Sequence, residues 1–307
     1  MDVESKSYFV IINPTSGNGS SKKSWPKIKS LLEKHNFSFQ FAFTSHSKHS
    51  IALVHQAVKQ NIKNIISVGG DGTLHNIVNG IMTQNDVPSL EINLGVIPIG
   101  TGNDWIKTHN IPLDFEAAIK IIKNGVLATQ DIGKIVIQNS SKPPVFFNNL
   151  AGVGFDGFVV SKIEKYKHIG TLAYLYGTLV SLFSFKNFES KITTNSGDIS
   201  GKTLMVLIGL CKFSGGGMQL TKNPDPFDGL LDITIAQDFN KIEIIKNLAK
   251  LFNGTITNYK KVISLKTKSV SIKINPNNAP YIQADGELIG TGNIEVSIVA
   301  KAFSFYC

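Results

Sequence analysis

The chain has 307 residues, 42% of them hydrophobic and 17% charged, which excludes a disordered or fibrous protein and allows one large or two ordinary domains. Its two cysteines, Cys211 and Cys307, exclude a disulfide framework and point to a reducing cytosol, and no signal peptide precedes the first apolar run. The formal net charge of +9 favours anionic partners, although the lysines are spread along the chain rather than clustered.

Tyr8–Ile12 is a continuous apolar run and predicts a first strand. The turn Asn13-Pro14-Thr15-Ser16-Gly17 follows at once. Trp25, Ile28, Leu31 and Leu32 mark a helix to about His35. Phe37, Phe39, Phe41 and Phe43 alternate with Ser38, Gln40 and Ala42, a strand with one polar-tolerant face that Thr44 ends. Ile51, Val54, Ala57 and Val58 predict the next helix.

The stretch IISVGGDGTLHNIVNG, Ile65 to Gly80, carries the strongest local signal. A short apolar strand breaks into Gly69-Gly70-Asp71-Gly72-Thr73, and Leu74, Ile77, Val78, Ile81 and Met82 then recur at helical spacing. Such a turn aims backbone N–H groups and the positive end of a helix dipole at one point. Three glycines let a polyanion approach the backbone. Thr73 adds a hydroxyl, and Asp71 adds a carboxylate able to hold a cation bound to that anion. The bland alternative is an ordinary strand-to-helix turn. The GxGxxG fingerprint fails at His75, and no GxxxxGK[ST] occurs. Asp71, a turn residue at a strand end, is expected to carry no core packing.

Leu94–Ile97 predicts a fourth strand, leading into Pro98-Ile99-Gly100-Thr101-Gly102-Asn103-Asp104. Strands alternating with helices predict a doubly wound parallel α/β domain, residues 1–132, with the four post-strand segments converging on one edge of the sheet. After Asp131 the rhythm changes to short apolar runs separated by turns, with helices read only over Lys162–Phe185 and Lys241–Phe252. This predicts a mainly antiparallel β-sandwich over residues 133–307, with a C-terminal tail able to pack back on the first domain. Ile169–Phe188 is apolar but interrupted, so it reads as a packed helix before a lipid-facing one. Asp228-Gly229 and Asp285-Gly286 both read locally as hairpin turns. Asp225 and Asp228, three apart in a Pro-rich loop, also suit a hard cation together with backbone carbonyls. Glu287 is a carboxylate at a strand tip.

The ordered series Asn13-Pro14-x-Ser16-Gly17, Gly69-Gly70-Asp71-Gly72-Thr73, Gly100-Thr101-Gly102-Asn103-Asp104, Asn149-x-x-Gly152-x-Gly154-Phe155-Asp156, Gly215-Gly216-Gly217, Asp228-Gly229-Leu230-Leu231-Asp232 and Asp285-Gly286-Glu287 resembles the diacylglycerol kinase catalytic family, in its bacterial soluble lipid-kinase branch. The resemblance spans nearly the whole chain. It implies an ATP-binding α/β domain and a β-sandwich-like domain, with the active site in the cleft between them. It places Asn13, Pro14, Thr15, Ser16, Gly17, Thr44, Gly69, Gly70, Asp71, Gly72, Thr73, Leu74, His75 and Thr101 around ATP, with Asp71 orienting the Mg-nucleotide. It places a structural Mg²⁺ at Asp225, Asp228 and the backbone of Leu230, and a general base at Glu287. The chain departs from the family at His75, where asparagine is usual, and in bulkier residues around Asp156.

The function implied is transfer of the γ-phosphoryl group of ATP to a lipid hydroxyl, diacylglycerol by default. The rivals are a kinase for another lipid alcohol (sphingoid base, ceramide or phosphatidylglycerol), NAD kinase, and a nucleotide-binding regulator without catalysis. The expected partner is a lipid at the inner membrane face, met peripherally from the cytoplasm, and no nucleic acid. The oligomeric state is left open, a dimer included.

Overall fold

The structure is a computed structural model that describes residues 6–163, 184–275 and 279–307. The chain divides into two compact units, residues 1–130 with 301–307, and residues 131–300.

In the first unit, strands and helices alternate: β1 (Ser7–Ile12), α1 (Ser20–Lys34), β2 (Ser38–Phe43), α2 (His49–Lys59), β3 (Asn64–Gly69), α3 (Asp71–Thr83), β4 (Asn93–Pro98), α4 (Asp104–Thr108) and α5 (Phe115–Asn124). The sheet order is β2-β1-β3-β4, every pair parallel. Helices cover such strands, so β1, β3 and β4 are buried almost end to end and read as unbroken apolar runs. Beyond β4, Ser304 and Phe305 add a further parallel partner to Asn93 and Leu94. The core gathers Val10, Ile12, Ile28, Leu32, Ile66, Val68, Ile97 and Tyr306.

The edge strand β2 explains the phenylalanine alternation. Phe39, Phe41 and Phe43 all meet Trp25 of α1, with ring centroids 6.3, 4.8 and 6.2 Å away. Phe37 lies one residue before the strand and packs on Tyr8 instead. Helix α5 was not foreseen, yet its signals are plain: Asp114 caps it by accepting from the Ala117 N–H, and Gly125 ends it at φ 74°.

The second unit is mostly antiparallel. It holds β5 (Leu127–Ile137, entering from the first unit), β6 (Val145–Phe147), β7 (Leu150–Gly154), α6 (Phe155–Ile163), β8 (Phe188–Thr194), β9 (Gly197–Gly209), β10 (Leu231–Gln237), α7 (Lys241–Phe252), β11 (Val262–Thr267), β12 (Ser269–Ile274), β13 (Tyr281–Ala284), β14 (Glu287–Thr291) and β15 (Ile294–Tyr306). The long strand β9 divides its pairing. Its first half pairs with β8, and Met205–Gly209 lies between β7 and β10. The run continues β7-β13-β14 on one side and β8-β12-β15 on the other.

Two expectations change here. A helix begins at Phe155 and is described to Ile163; the rest of the expected Lys162–Phe185 helix, and most of Ile169–Phe188, lie outside the described residues. Asp228-Gly229 is not a hairpin. It ends the long loop after Gly209 and turns the chain into β10, with Gly229 at φ 73°. Among the described residues no helix is long and apolar enough to cross a membrane.

Candidate active site

Three turns leave the carboxyl ends of β1, β3 and β4, where parallel sheets place ligands. Side chains tie them together. Asn13 Nδ2 donates to Thr73 Oγ1 at 3.0 Å, and the Ser16 and Thr73 hydroxyls lie 3.4 Å apart. Asn13 Oδ1 accepts from the Thr15 N–H at 3.1 Å and the Thr15 hydroxyl at 2.8 Å, which folds Asn13-Pro14-Thr15 into a tight bend. Thr44 continues the β2 ladder, its N–H bonded to the Ile12 carbonyl at 2.8 Å.

Asp71 opens α3, and its carboxylate reaches the next turn. Oδ2 accepts from the Asp104 N–H at 3.1 Å and Oδ1 from the Trp105 N–H at 3.4 Å. It therefore holds the start of the short helix α4, a structural duty that its position at a strand end did not suggest. Asp104 is itself buried and pairs with Lys107 at 2.9 Å.

The glycines divide their work. A Cβ at Gly100 would stand 2.8 Å from Asn103 Oδ1 and 3.0 Å from the Gly70 Cα, so Gly100 lets the two turns touch. A Cβ at Gly70 would meet nothing closer than 3.5 Å. A side chain at Gly70 would thus pack in ordinary contact with the next turn, whereas Gly100 is needed by the turn itself. The Thr73 and Leu74 N–H groups are bonded to the Gly70 carbonyl, at 3.0 and 3.1 Å. Thr101 is exposed on the same loop.

Leu74 and His75 follow the turn on the first turns of α3. Both side chains are buried in the face of α3 that packs inward, and His75 lies against Asn79. The exchange of the family's asparagine for His75 is, in this structure, a packing change.

In the second unit, Asp285 and Gly286 form a two-residue hairpin between β13 and β14, with φ 49° and 83° and Ala284 opposite Glu287. Two positive φ values match the right-handed twist of the strands and explain an Asp-Gly pair. The Asp285 carboxylate accepts three backbone N–H groups, Oδ2 from Asn148 and Oδ1 from Asn149 and Leu150, all at 3.0 Å. It anchors the hairpin. Gln283 is buried; its Oε1 accepts the Gly286 N–H at 2.8 Å, and its Nε2 donates to Asp156 Oδ2 at 2.8 Å. Glu287, half-buried, opens β14 on this fixed turn.

Asp156 sits in the space that Gly152 leaves by having no side chain. Its Oδ1 is shut from solvent without a partner, although the residue keeps some exposed surface. Burial pushes its carboxyl up to about 6, against the opposing pull of the Gln283 amide. It lines an apolar cavity of about 80 Å³ among Val159, Leu204, Phe239, Leu248, Leu251 and Ile256.

Asp156 also sets a pH dependence. The folded chain keeps a proton that the unfolded chain, at the ordinary value of 3.8, releases. Between about pH 4 and 6 the unfolded state therefore binds fewer protons, and stability falls as pH rises. Above that window the penalty is complete, about 1–3 kcal/mol after allowance for partial exposure. Asp156→Asn is expected to melt above wild type at pH 8, with the gap closing toward pH 4. Equal melting curves at pH 8 would show that the carboxyl is not strained by burial.

The candidate cation residues are arranged otherwise than the sequence suggests. Asp225 Oδ1 accepts from the Phe227 N–H and Asp228 Oδ1 from the Leu230 N–H, at 3.0 and 2.9 Å. Asp228 Oδ2 is paired with Lys266 at 2.5 Å, and the same ammonium lies 3.3 Å from the buried Asp232. Among the described residues no group of three or more His, Cys, Asp or Glu side chains is placed to hold a metal. Oxygen donors suit Mg²⁺ in kind, but Lys266 already supplies the positive charge, so this loop as it stands does not fit a dedicated metal site.

Comparison with known proteins bears on both units. The model of the diacylglycerol kinase catalytic domain matches residues 7–135, and that of the YegS C-terminal NAD kinase beta sandwich-like domain matches residues 149–307. A diacylglycerol kinase of Staphylococcus saprophyticus subsp. saprophyticus is 30% identical over 264 residues, covering 86% of this chain and 83% of its own. A diacylglycerol kinase of Bacillus subtilis (strain 168) is 29% identical over 288 residues, covering 92% and 89%. A solved structure of a diacylglycerol kinase from Bacillus anthracis str. Sterne superposes with a TM-score of 0.72 at 21% identity, covering 99% of this chain and 98% of its own, a likeness of fold. With both units matched in order and relatives aligned over most of both lengths, the chain belongs to the diacylglycerol kinase catalytic family of lipid kinases and is a phosphotransferase.

Proposed function

We propose that the chain transfers the γ-phosphoryl group of ATP to the free hydroxyl of diacylglycerol, with Mg²⁺ accompanying the nucleotide. The observation that carries this reading is the interlocking of the three turns after β1, β3 and β4 at the start of α3. Residues 1–132, read as a doubly wound nucleotide domain, hold ATP through Asn13–Gly17, Thr44, Gly69–His75 and Thr101. Residues 133–307, less the returning tail, hold the lipid, with the apolar cavity beside Asp156 suited to part of an acyl chain.

Phosphoryl transfer asks a protein mainly for positioning and charge stabilisation. The dipole of α3 and the glycine turn at its start favour the phosphates. Bound with the nucleotide, Mg²⁺ neutralises phosphate charge, and Asp71 is the carboxylate placed to orient it. Glu287 takes the proton of the acceptor hydroxyl as that oxygen bonds to the γ-phosphorus. The bond from phosphorus to the β,γ-bridging oxygen breaks, and ADP carries the electron pair away. The Asp225, Asp228 and Leu230 loop we assign to the Lys266 ion pair rather than to a resident metal. A cytosolic supply of ATP supports action from the inner membrane face.

Labelled ATP over a panel of dispersed lipid alcohols, with NAD included, tests the assignment. Diacylglycerol is expected to be the best acceptor. Preference for a sphingoid base, ceramide or phosphatidylglycerol would move the reading to another lipid kinase; labelling of NAD would end it. ATP binding without transfer to any acceptor would indicate a regulator.

A further inference from the structure

Helix α7 presents two different apolar faces. Ile244, Leu248 and Leu251 face inward and wall the cavity beside Asp156. Ile242, Ile245, Ala249 and Phe252 point the other way and are exposed, Ile242 by 64%, Ile245 by 51% and Phe252 by 56%. At 3.6 residues per turn these four fall within about 80° of one another, centred about 110° from the inner face. Lys241 and Lys246 flank the outer stripe on its two sides, both exposed. Lys250 lies beyond Lys246 and over the Tyr259 ring at 5.2 Å.

The only acid of the helix is turned away from this stripe. Glu243 closes a capping box with Asn240, and its carboxylate accepts from Tyr259 at 3.1 Å and Lys261 at 2.7 Å. The last turn is fixed as well, since the Gln219 N–H donates to the Leu251 carbonyl and Gln219 Nε2 to that of Phe252, at 2.7 and 3.1 Å. A helix tied at both ends holds large apolar side chains in water between lysines.

We infer that the outer face of α7 docks on an anionic bilayer, seating Ile242, Ile245 and Phe252 among the acyl chains and Lys241 and Lys246 among anionic headgroups. The charge decides the occupant. A stripe bordered by cations alone, on a chain of net charge +9, complements an anionic lipid surface and repels a second copy of itself. The same helix then presents the cavity behind it to the layer in which diacylglycerol resides. This last point rests on the lipid-kinase reading; the docking does not.

Sedimentation of the full chain with phosphatidylcholine vesicles, and with mixed phosphatidylcholine–phosphatidylglycerol vesicles, tests the docking. Wild type is expected to prefer the mixed vesicles and to lose affinity as salt rises. Lys246→Glu is expected to lower that affinity by about tenfold, and Ile245→Asp by about tenfold or more. Phe252→Trp supplies a second readout. Its emission is expected to shift to the blue on mixed vesicles, a response that does not depend on a weakened variant.

Unchanged vesicle affinity in Ile245→Asp, or no shift in Phe252→Trp, overturns the proposal. So does a wild-type dimer that Ile245→Asp converts to monomer with vesicle binding intact. Turnover of a short-chain, water-dispersed diacylglycerol is expected to survive both Ile245→Asp and Lys246→Glu. Loss of that turnover in wild type would count against the kinase reading and leave the vesicle result to decide the docking alone.

Discussion

Replacing Glu287 with glutamine is expected to lower phosphoryl transfer by about 10²–10⁴-fold and to leave ATP affinity little changed. The structure makes this substitution clean. The backbone at residue 287 is fixed by bonds that its own side chain does not make, namely the Asp285 carboxylate on three amides and the Gln283 amide on Gly286. Glutamine keeps the size and reach of glutamate but exchanges the basic, charged oxygen for a neutral NH₂. A fall in kcat with KM for ATP held is therefore a statement about proton acceptance. A wild-type rate in folded Glu287→Gln protein would return the residue to an ordinary hairpin position.

Asp71 is the second large effect, and two variants separate its duties. Asp71→Asn retains an oxygen for the Trp105 or Asp104 N–H but loses the charge; Asp71→Ala also leaves both amides of α4 without that acceptor. Removing a charge-orienting group from such a site costs about 10²–10³-fold, expected of both variants. Alanine carries a further stability cost of about 1–3 kcal/mol. Phosphoryl transfer measured beside urea unfolding distinguishes them: asparagine is expected to be nearly inert yet almost as stable as wild type, alanine inert and weakened. Near wild-type transfer in Asp71→Asn would remove the phosphate-site reading.

What the sequence made legible follows from how each feature is built. Strands β1, β3 and β4 were readable because burial on both faces leaves unbroken apolar runs, and their turns because glycine is needed where Gly70 meets Gly100. Strands β7, β8 and β11 were missed, being short or alternating, with pairing set by distant partners. The burial of His75 was available in principle, since it lies on the helical arc beside Val78 and Met82. The anchoring of Asp285 was not. Its acceptors serve amides about 136 positions earlier, a proximity only the folded chain creates. The same holds for Gln283 with Asp156, and for Lys266 with Asp228.

Strand β15 begins among the antiparallel strands and ends in the first unit, where Ser304 and Phe305 join β4 and the Tyr306 hydroxyl donates to Asn64 Oδ1 at 2.7 Å. The whole of residues 131–300 must therefore leave the ribosome before the first unit can close. Early-made domains ordinarily fold while synthesis continues. Here the first-made half waits with the β4 edge open, and its last strand forms through a contact of very long sequence separation, which slows folding. The nascent chain thus carries an unpaired β4 edge, the kind of edge that templates pairing with another chain, until Ser304 and Phe305 are made.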